Sequence, residues 1–169
     1  MKVALINVPY GIKSYKTSEV PPLGLGFIAR TLENNNVDYE FLDLGYKTLE
    51  ESVDVFKNLF NIDFFGFSFY QENLENAIKL IRFVKQHFPN SKIIIGGAFP
   101  TLAHSELIKE FHEIDFVVRG DGEKAILKIF DGTYSNSDNG ISYRGDNIFF
   151  SNKVNRLDNL DFSAPPAYR

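Results

Sequence analysis

Residues 92–101 read KIIIGGAFPT, an isoleucine run that ends in two glycines followed by a proline and a threonine. A short, apolar, β-branched run closed by Gly and Pro is typical of a buried strand that turns into the next element. The segments FFGFSF at 64–69 and DFVVRGDG at 115–122 have the same character. Because the unit recurs along the chain, it predicts a parallel sheet covered by helices.

Amphipathic stretches separate these runs and complete the alternation. We predict strands at 2–8, 38–42, 64–69, 92–95 and 115–119, with helices near 22–33, 49–59, 72–87, 102–111 and 122–130. This pattern indicates a doubly wound α/β fold, with a flavodoxin-like five-stranded parallel sheet in the order 2-1-3-4-5. Residues 140–150 predict a C-terminal hairpin. We therefore expect a Rossmann-like domain over 1–133, and a hairpin and linker over 134–169.

The amino-acid composition argues against several classes of function. The chain has 169 residues, a net charge of −4 and no cysteine. An acidic chain without a basic face argues against nucleic-acid binding, and its short apolar runs argue against a membrane span. Without a signal-peptide pattern, a cytoplasmic protein is expected. The lack of cysteine excludes disulfides, thiolate catalysis and a Cys-ligated cluster within these residues.

Ligands of doubly wound sheets bind beyond the carboxyl ends of the strands, at the switch point between strands 1 and 3. Two segments should meet there, one with Pro9, Tyr10 and Gly11 and the other with Ser68, Tyr70 and Gln71. Ser68 stands where a receiver domain carries its phosphoacceptor aspartate, which argues against a phosphorylation switch. The glycines at 24 and 26 do not form a dinucleotide fingerprint, because a long loop precedes them and position 29 is alanine.

Two glycine-rich turns at the same edge are further candidates. One holds Gly96, Gly97, Phe99, Pro100 and Thr101, and the other holds Arg119, Gly120, Gly122 and Glu123. Glycines let a flat group approach the backbone, and the start of a helix presents free N–H groups to anionic or carbonyl-rich ligands. Ordinary strand-to-helix turns have the same residues, so each turn alone leaves both interpretations open.

Taken in order, three motifs resemble one family: PPLGL at 21–25, GGAFPT at 96–101 and VVRGDGE at 117–123. Together they resemble the N-terminal cobalamin-binding domain of class B radical S-adenosylmethionine enzymes, and the tail at 157–168 resembles the segment before that family's catalytic barrel. The resemblance implies base-off cobalamin, with its dimethylbenzimidazole tail buried between sheet and helices. The predicted binding site consists of the switch-point residues and the residues of the two glycine-rich turns named in the two preceding paragraphs.

The sequence departs from that family in two ways. Phe99 occupies a position where the family often has histidine, and the barrel's CxxxCxxC motif is absent. The [4Fe-4S] cluster and S-adenosylmethionine would therefore belong to a radical S-adenosylmethionine domain, in the same parent chain or in a separate subunit. The parent is expected to be a methyltransferase or a related radical enzyme. This chain alone is expected to show no such activity, and it is either an excised domain or a stand-alone cobalamin carrier.

The remaining expectations concern the metal site and the alternative functions. The classical cobalamin motif DxHxxG, which supplies a histidine to cobalt, is missing after strand 1, where residues 7–12 read NVPYGI. We therefore predict no catalytic residue and no metal ligand in this chain, with cobalt bound without histidine. The alternatives are a non-catalytic flavodoxin-like interaction or sensor domain, and a flavin- or nucleotide-binding electron carrier.

Overall fold

The computed structural model describes residues 1–10, 21–151, 153–156 and 165–167. The strands in these ranges are β1 (Lys2–Asn7), β2 (Asp38–Asp43), β3 (Phe64–Ser68), β4 (Lys92–Gly96), β5 (Phe116–Val118), β6 (Ile141–Arg144) and β7 (Ile148–Phe149). The helices are α1 (Leu23–Asn34), α2 (Leu49–Phe56), α3 (Leu74–His87), α4 (Ala98–Leu102), α5 (His104–Glu110) and α6 (Glu123–Asp131).

All seven of these strands form one sheet, in the order β2-β1-β3-β4-β5-β6-β7. Strands β1 to β5 are parallel, which confirms the predicted order 2-1-3-4-5. The predicted hairpin is β6 and β7, and β6 pairs antiparallel with β5. The hairpin therefore continues the sheet at its edge. The division of the chain at residue 133 stays a prediction.

Helices cover both faces of the sheet. Helices α2, α3 and α5 bury Phe56, Leu80 and Ile108 against one face, in the same cluster as Phe65 and Phe67 of β3. Helices α1 and α6 cover the other face, where one cluster centres on β1 and a second on β4, β5 and β6. Strand β1 is buried on both sides because its central four residues are at most 1% exposed. Such burial explains its unbroken apolar sequence.

The prediction was wrong about the segment after β4. A single helix was predicted over 102–111, but α4 begins at Ala98 and a second helix, α5, begins at His104. Between them, Ala103 has φ −100° and ψ 24°, outside the helical region. Thr101 and Pro100 are therefore in a helix that starts directly after the double glycine. The third helix also starts later than predicted, after a 3-10 turn over Gln71–Asn73.

The carboxyl-terminal end of the described chain packs against helix α1. Ala167 is 4% exposed, and its N–H donates to the Gly26 carbonyl at 2.9 Å. Arg30 of the same helix donates to the Pro165 carbonyl at 2.8 Å. Residues 165–167 thus pack on α1. Across the described ranges, no helix has the length and apolar character needed to cross a membrane.

Candidate functional site

A pocket of about 190 Å³ opens at the carboxyl edge of the sheet, between the sheet and helices α1 and α6. We call it the edge pocket. It extends beneath the helices along strands β1, β3, β4 and β5. Its walls are mainly aliphatic and aromatic, and they include Leu5, Leu25, Phe27, Ile28, Ile94 and Ile126. A pocket of this kind suits the insertion of a flat apolar group.

Several residues that line the pocket are glycines, and their lack of a side chain leaves much of this space. Gly66, in the middle of β3, lies on the pocket floor, and a Cβ there would meet Leu5 Cδ2 at 3.4 Å. Gly96 ends β4, and a Cβ there would lie 3.5 Å from the Val118 carbonyl oxygen. Gly24 faces the pocket from the first turn of α1, where an added Cβ would meet no atom within 4 Å. Gly24 therefore borders open space.

Two further glycines shape the turns at the pocket rim. Gly97 has φ +100° and Gly120 has φ +79°, and both values favour glycine over L residues. Thr101 links the two turns. Its Oγ1 donates to the Gly97 carbonyl at 2.8 Å and accepts from the Gly120 N–H at 3.1 Å. The predicted glycine motifs of strands 4 and 5 thus form one connected rim.

Two carboxyl groups lie in this largely apolar pocket, those of Asp121 and Glu123. The Glu123 side chain is half-buried, and its Oε2 has no hydrogen-bond partner among the described residues. Burial raises the pKa of Glu123 and the nearby Asp121 charge raises it further, while the Glu123 backbone N–H opposes the shift. The carboxyl is therefore more readily protonated than an exposed glutamate.

The structure brings together the two segments predicted to meet at the switch point. The Val8 N–H donates to the Ser68 carbonyl at 3.2 Å, and Asn73 Nδ2 donates to the Val8 carbonyl at 2.8 Å. The rings of Tyr10 and Tyr70 stack with centroids 6.4 Å apart, and Tyr70 is 50% exposed. An aromatic surface thus covers the switch point beside the pocket. Gly11 lies outside the described residues.

The predicted residues divide into a pocket set and a surrounding set. The pocket set is Ser68, Gly96, Gly97, Gly120, Gly122 and Glu123. The surrounding set contacts neighbouring loops without lining the pocket, and it comprises Pro9, Tyr10, Tyr70, Gln71, Phe99, Pro100, Thr101 and Arg119. Contact of either set with a cofactor stays a prediction.

The Arg119 side chain donates hydrogen bonds to two backbone carbonyls beside the rim. Its Nε donates to the Thr101 carbonyl at 3.2 Å, and its Nη1 donates to the Ser151 carbonyl. His104 does not line the pocket. Its Nδ1 instead lies 3.0 Å from the hydroxyl of Ser142, which is fully buried in β6. Both side chains therefore attach the C-terminal hairpin to the domain.

The sequence analysis missed the residue that supports the second glycine turn, Asn155. Its backbone N–H donates to the Arg119 carbonyl at 3.1 Å, and its carbonyl accepts from the Asp121 N–H at 3.0 Å. Its side-chain amide donates to the Asp121 carbonyl at 2.6 Å. A side chain on Gly120 would collide with Asn155, because an added Cβ would lie 2.1 Å from its carbonyl oxygen. This role depends on the pairing of Asn155 with Gly120, which is far away in the sequence, so no local signal indicates it.

Comparison with known proteins identifies the fold family. A family model described as B12 binding domain matches residues 14–130, well over half of the chain. The chain belongs to the B12-binding domain family. The matched range contains the edge pocket, apart from Leu5, and both glycine turns of its rim. The expected resemblance to a cobalamin-binding domain is therefore confirmed.

Similar proteins also contain this domain as one part of a longer chain. The anaerobic magnesium-protoporphyrin IX monomethyl ester cyclase of Synechocystis sp. is 28% identical over 156 residues. The match covers 86% of this chain and 31% of the cyclase. The B12-binding domain thus spans about a third of that relative.

Solved structures of cobalamin-dependent radical enzymes share the fold. The radical S-adenosylmethionine methyltransferase TsrM from Kitasatospora setae, with cobalamin and a [4Fe-4S] cluster bound, is 15% identical. The match has a TM-score of 0.69 and covers 97% of this chain and 31% of TsrM. OxsB with aqua-cobalamin and S-adenosylmethionine gives 17% identity and a TM-score of 0.69, covering 92% of this chain and 22% of OxsB. At these identities, the likeness establishes the fold.

Proposed function

We propose that this B12-binding domain holds base-off cobalamin for a radical S-adenosylmethionine enzyme, with the nucleotide tail inserted in the edge pocket. The observation that carries the proposal is the glycine-lined pocket at the carboxyl edge of the sheet, next to the switch point between β1 and β3. In doubly wound folds this is the edge at which ligands bind. Membership of the family supplies the identity of the ligand.

The pocket fits the tail in size and chemistry. A cavity of about 150 Å³ lined by apolar side chains accommodates a benzene ring, and the edge pocket has about 190 Å³. Gly24, Gly66 and Gly96 leave room for a flat bicyclic base, while Ile94 and Ile126 supply apolar contacts. The ring system of dimethylbenzimidazole therefore matches the depth and the polarity of this pocket.

The corrin would lie outside the pocket, over the switch point. With the tail inserted between sheet and helices, its lower face would approach the stacked rings of Tyr10 and Tyr70. Asn76 donates to the Pro9 carbonyl at 3.0 Å and so helps hold the loop after β1. These residues orient the cofactor and exclude water from its lower face. In methyltransferases of this type, bound cobalamin supplies the methyl group.

The rest of the enzyme must lie elsewhere. The chain has no cysteine, so thiolates that bind a [4Fe-4S] cluster have to come from another domain or subunit. We propose that this partner is a radical S-adenosylmethionine domain and that the parent is a methyltransferase or a related radical enzyme. We also propose a cytoplasmic location, which suits a chain that uses no disulfide.

Titration with hydroxocobalamin tests the proposal. The purified chain should co-elute with cobalamin in gel filtration and give the visible spectrum of the base-off form. Flavin mononucleotide, added under the same conditions, should elute separately. A chain that releases cobalamin completely, or that retains flavin instead, would overturn the assignment.

A further inference from the structure

Glu123 is the least satisfied polar side chain of the edge pocket. Its Oε2 is buried and lacks a hydrogen-bond partner within the described part of the chain. A buried polar group without a partner costs about 1–3 kcal/mol, so proteins seldom keep one. Glu123 itself lines the edge pocket, in which the proposed function places the nucleotide tail. A ligand bound there would meet a carboxyl group that the protein leaves partly unsatisfied.

The surroundings of Glu123 favour a neutral carboxyl. The residues that line the pocket with it from α1, β3 and β4 are apolar or glycine, apart from Ser68. Asp121 is the only other titratable residue that lines the pocket in the described ranges, and its charge disfavours a second carboxylate. Burial acts in the same direction and raises the pKa of Glu123. The backbone N–H of Glu123 favours the ionised form, but burial has the larger effect and the pKa is raised.

We propose that Glu123 recognises the nucleotide tail of cobalamin as a neutral carboxylic acid, which donates a hydrogen bond to an acceptor atom of the tail. This inference rests on the proposed function. A protonated carboxyl has one O–H donor. In the base-off form, the tail presents acceptors for such a donor at its ring nitrogen, its phosphate and its ether and hydroxyl oxygens. Glu123 thereby selects cobamides that have a nucleotide tail.

Two substitutions at Glu123 distinguish the effect of losing the hydrogen-bond donor from the effect of losing the ionisable group. Glu123→Gln keeps an N–H donor at nearly the same position and has no charge at any pH. Glu123→Leu keeps a branched side chain that ends one atom earlier, and it removes the donor. The leucine variant should fold normally, because replacing an unsatisfied polar group with an apolar one is neutral or stabilising. A thermal melt of the apoprotein, with Tm equal to or above wild type, checks its fold.

Dissociation constants for cobalamin and for cobinamide, which lacks the tail, test the proposal. Glu123→Leu should weaken cobalamin binding about tenfold to hundredfold, and a tenfold change equals about 1.4 kcal/mol. Glu123→Gln should stay within about threefold of wild type on the same free-energy scale. Cobinamide should bind all three proteins equally, because it has no group that reaches Glu123.

The pH dependence of binding reports the protonation state. Cobalamin affinity of the wild type should fall as pH rises through the pKa of Glu123, and that of Glu123→Gln should stay flat. Unchanged cobalamin affinity in Glu123→Leu, or wild-type affinity that increases with pH, would overturn the inference while leaving the proposed function intact. A wild-type chain that binds no cobalamin would overturn both.

Discussion

Filling the edge pocket from Gly24 is the most informative perturbation of this domain. Gly24 is exposed in the first turn of α1 and borders open space, since an added Cβ would touch nothing within 4 Å. Gly97 is less suitable, because its φ of +100° disfavours a side chain and a Cβ would lie 2.9 Å from Ser68 Oγ. We therefore choose Gly24→Phe, whose ring is similar in size to the tail base, with Gly24→Ala as the small reference.

The expected magnitudes follow from the burial of an aromatic ring. A large aromatic group buries about 150–250 Å², which at about 25 cal/mol per Å² contributes roughly 4–6 kcal/mol. Loss of that contribution weakens binding by about three orders of magnitude or more. The same substitution should not destabilise the apoprotein. Replacing a helical glycine stabilises by up to about 1 kcal/mol, so Gly24→Ala should raise Tm and keep cobalamin affinity.

Visible titration and thermal melts measure both effects. Gly24→Phe should bind cobalamin no better than cobinamide, while its apoprotein melts at or above the wild-type temperature. Gly145→Phe is the matched control, since Gly145 lies in the hairpin turn and an added Cβ there makes only ordinary contacts, at 3.7 Å and beyond. A Gly24→Phe variant that binds cobalamin with wild-type affinity would refute the placement of the tail in this pocket.

The remaining predictions concern the hairpin, the rim and the reaction. Burial lowers the pKa of His104, as does the charge of Arg119, so the unfolding free energy should fall as pH decreases below about 6.5, the usual histidine pKa. A urea titration should show that His104→Gln removes this slope and His112→Gln retains it. Asn155→Ala should lower the unfolding free energy by about 1 kcal/mol, compared with an exposed control, Asn139→Ala; equal stabilities would contradict the role of that side chain. The purified chain should not cleave S-adenosylmethionine reductively, and detection of 5′-deoxyadenosine above a no-protein control would show this wrong.

The sheet was predictable from sequence because its central strands, β1, β3, β4 and β5, are largely buried. Short apolar runs that end in a turn, such as Ile93–Ile95 and Phe64–Ser68, are typical of buried strands. Because helices alternate with these runs, neighbouring strands are predicted to be parallel. The glycine turns at Gly97 and Gly120 were predictable as turns for the same local reason. Their positive φ values are the conformations that glycine permits at low cost.

The walls and supports of the pocket were harder to predict, because they depend on packing between distant segments. Gly24 lies two residues after a proline pair, at the start of a helix. The local sequence does not show whether such a glycine borders open space or packs tightly against the sheet. Asn155 lies in a polar stretch that is typical of a linker, yet it pairs with the turn after β5. Arg119 belongs to a motif that suggested ligand contact, but its guanidinium binds backbone carbonyls of α4 and of the segment after β7.

Electron paramagnetic resonance of the Co(II) form tests the central claim most directly. If the tail occupies the edge pocket and no histidine of this chain reaches the metal, bound cob(II)alamin should show cobalt hyperfine lines without nitrogen superhyperfine splitting. Splitting that matches free base-on cob(II)alamin would mean that the tail base is still on cobalt and outside the pocket. Splitting that disappears in His104→Gln would instead assign the axial ligand to a histidine and contradict the account of the lower face.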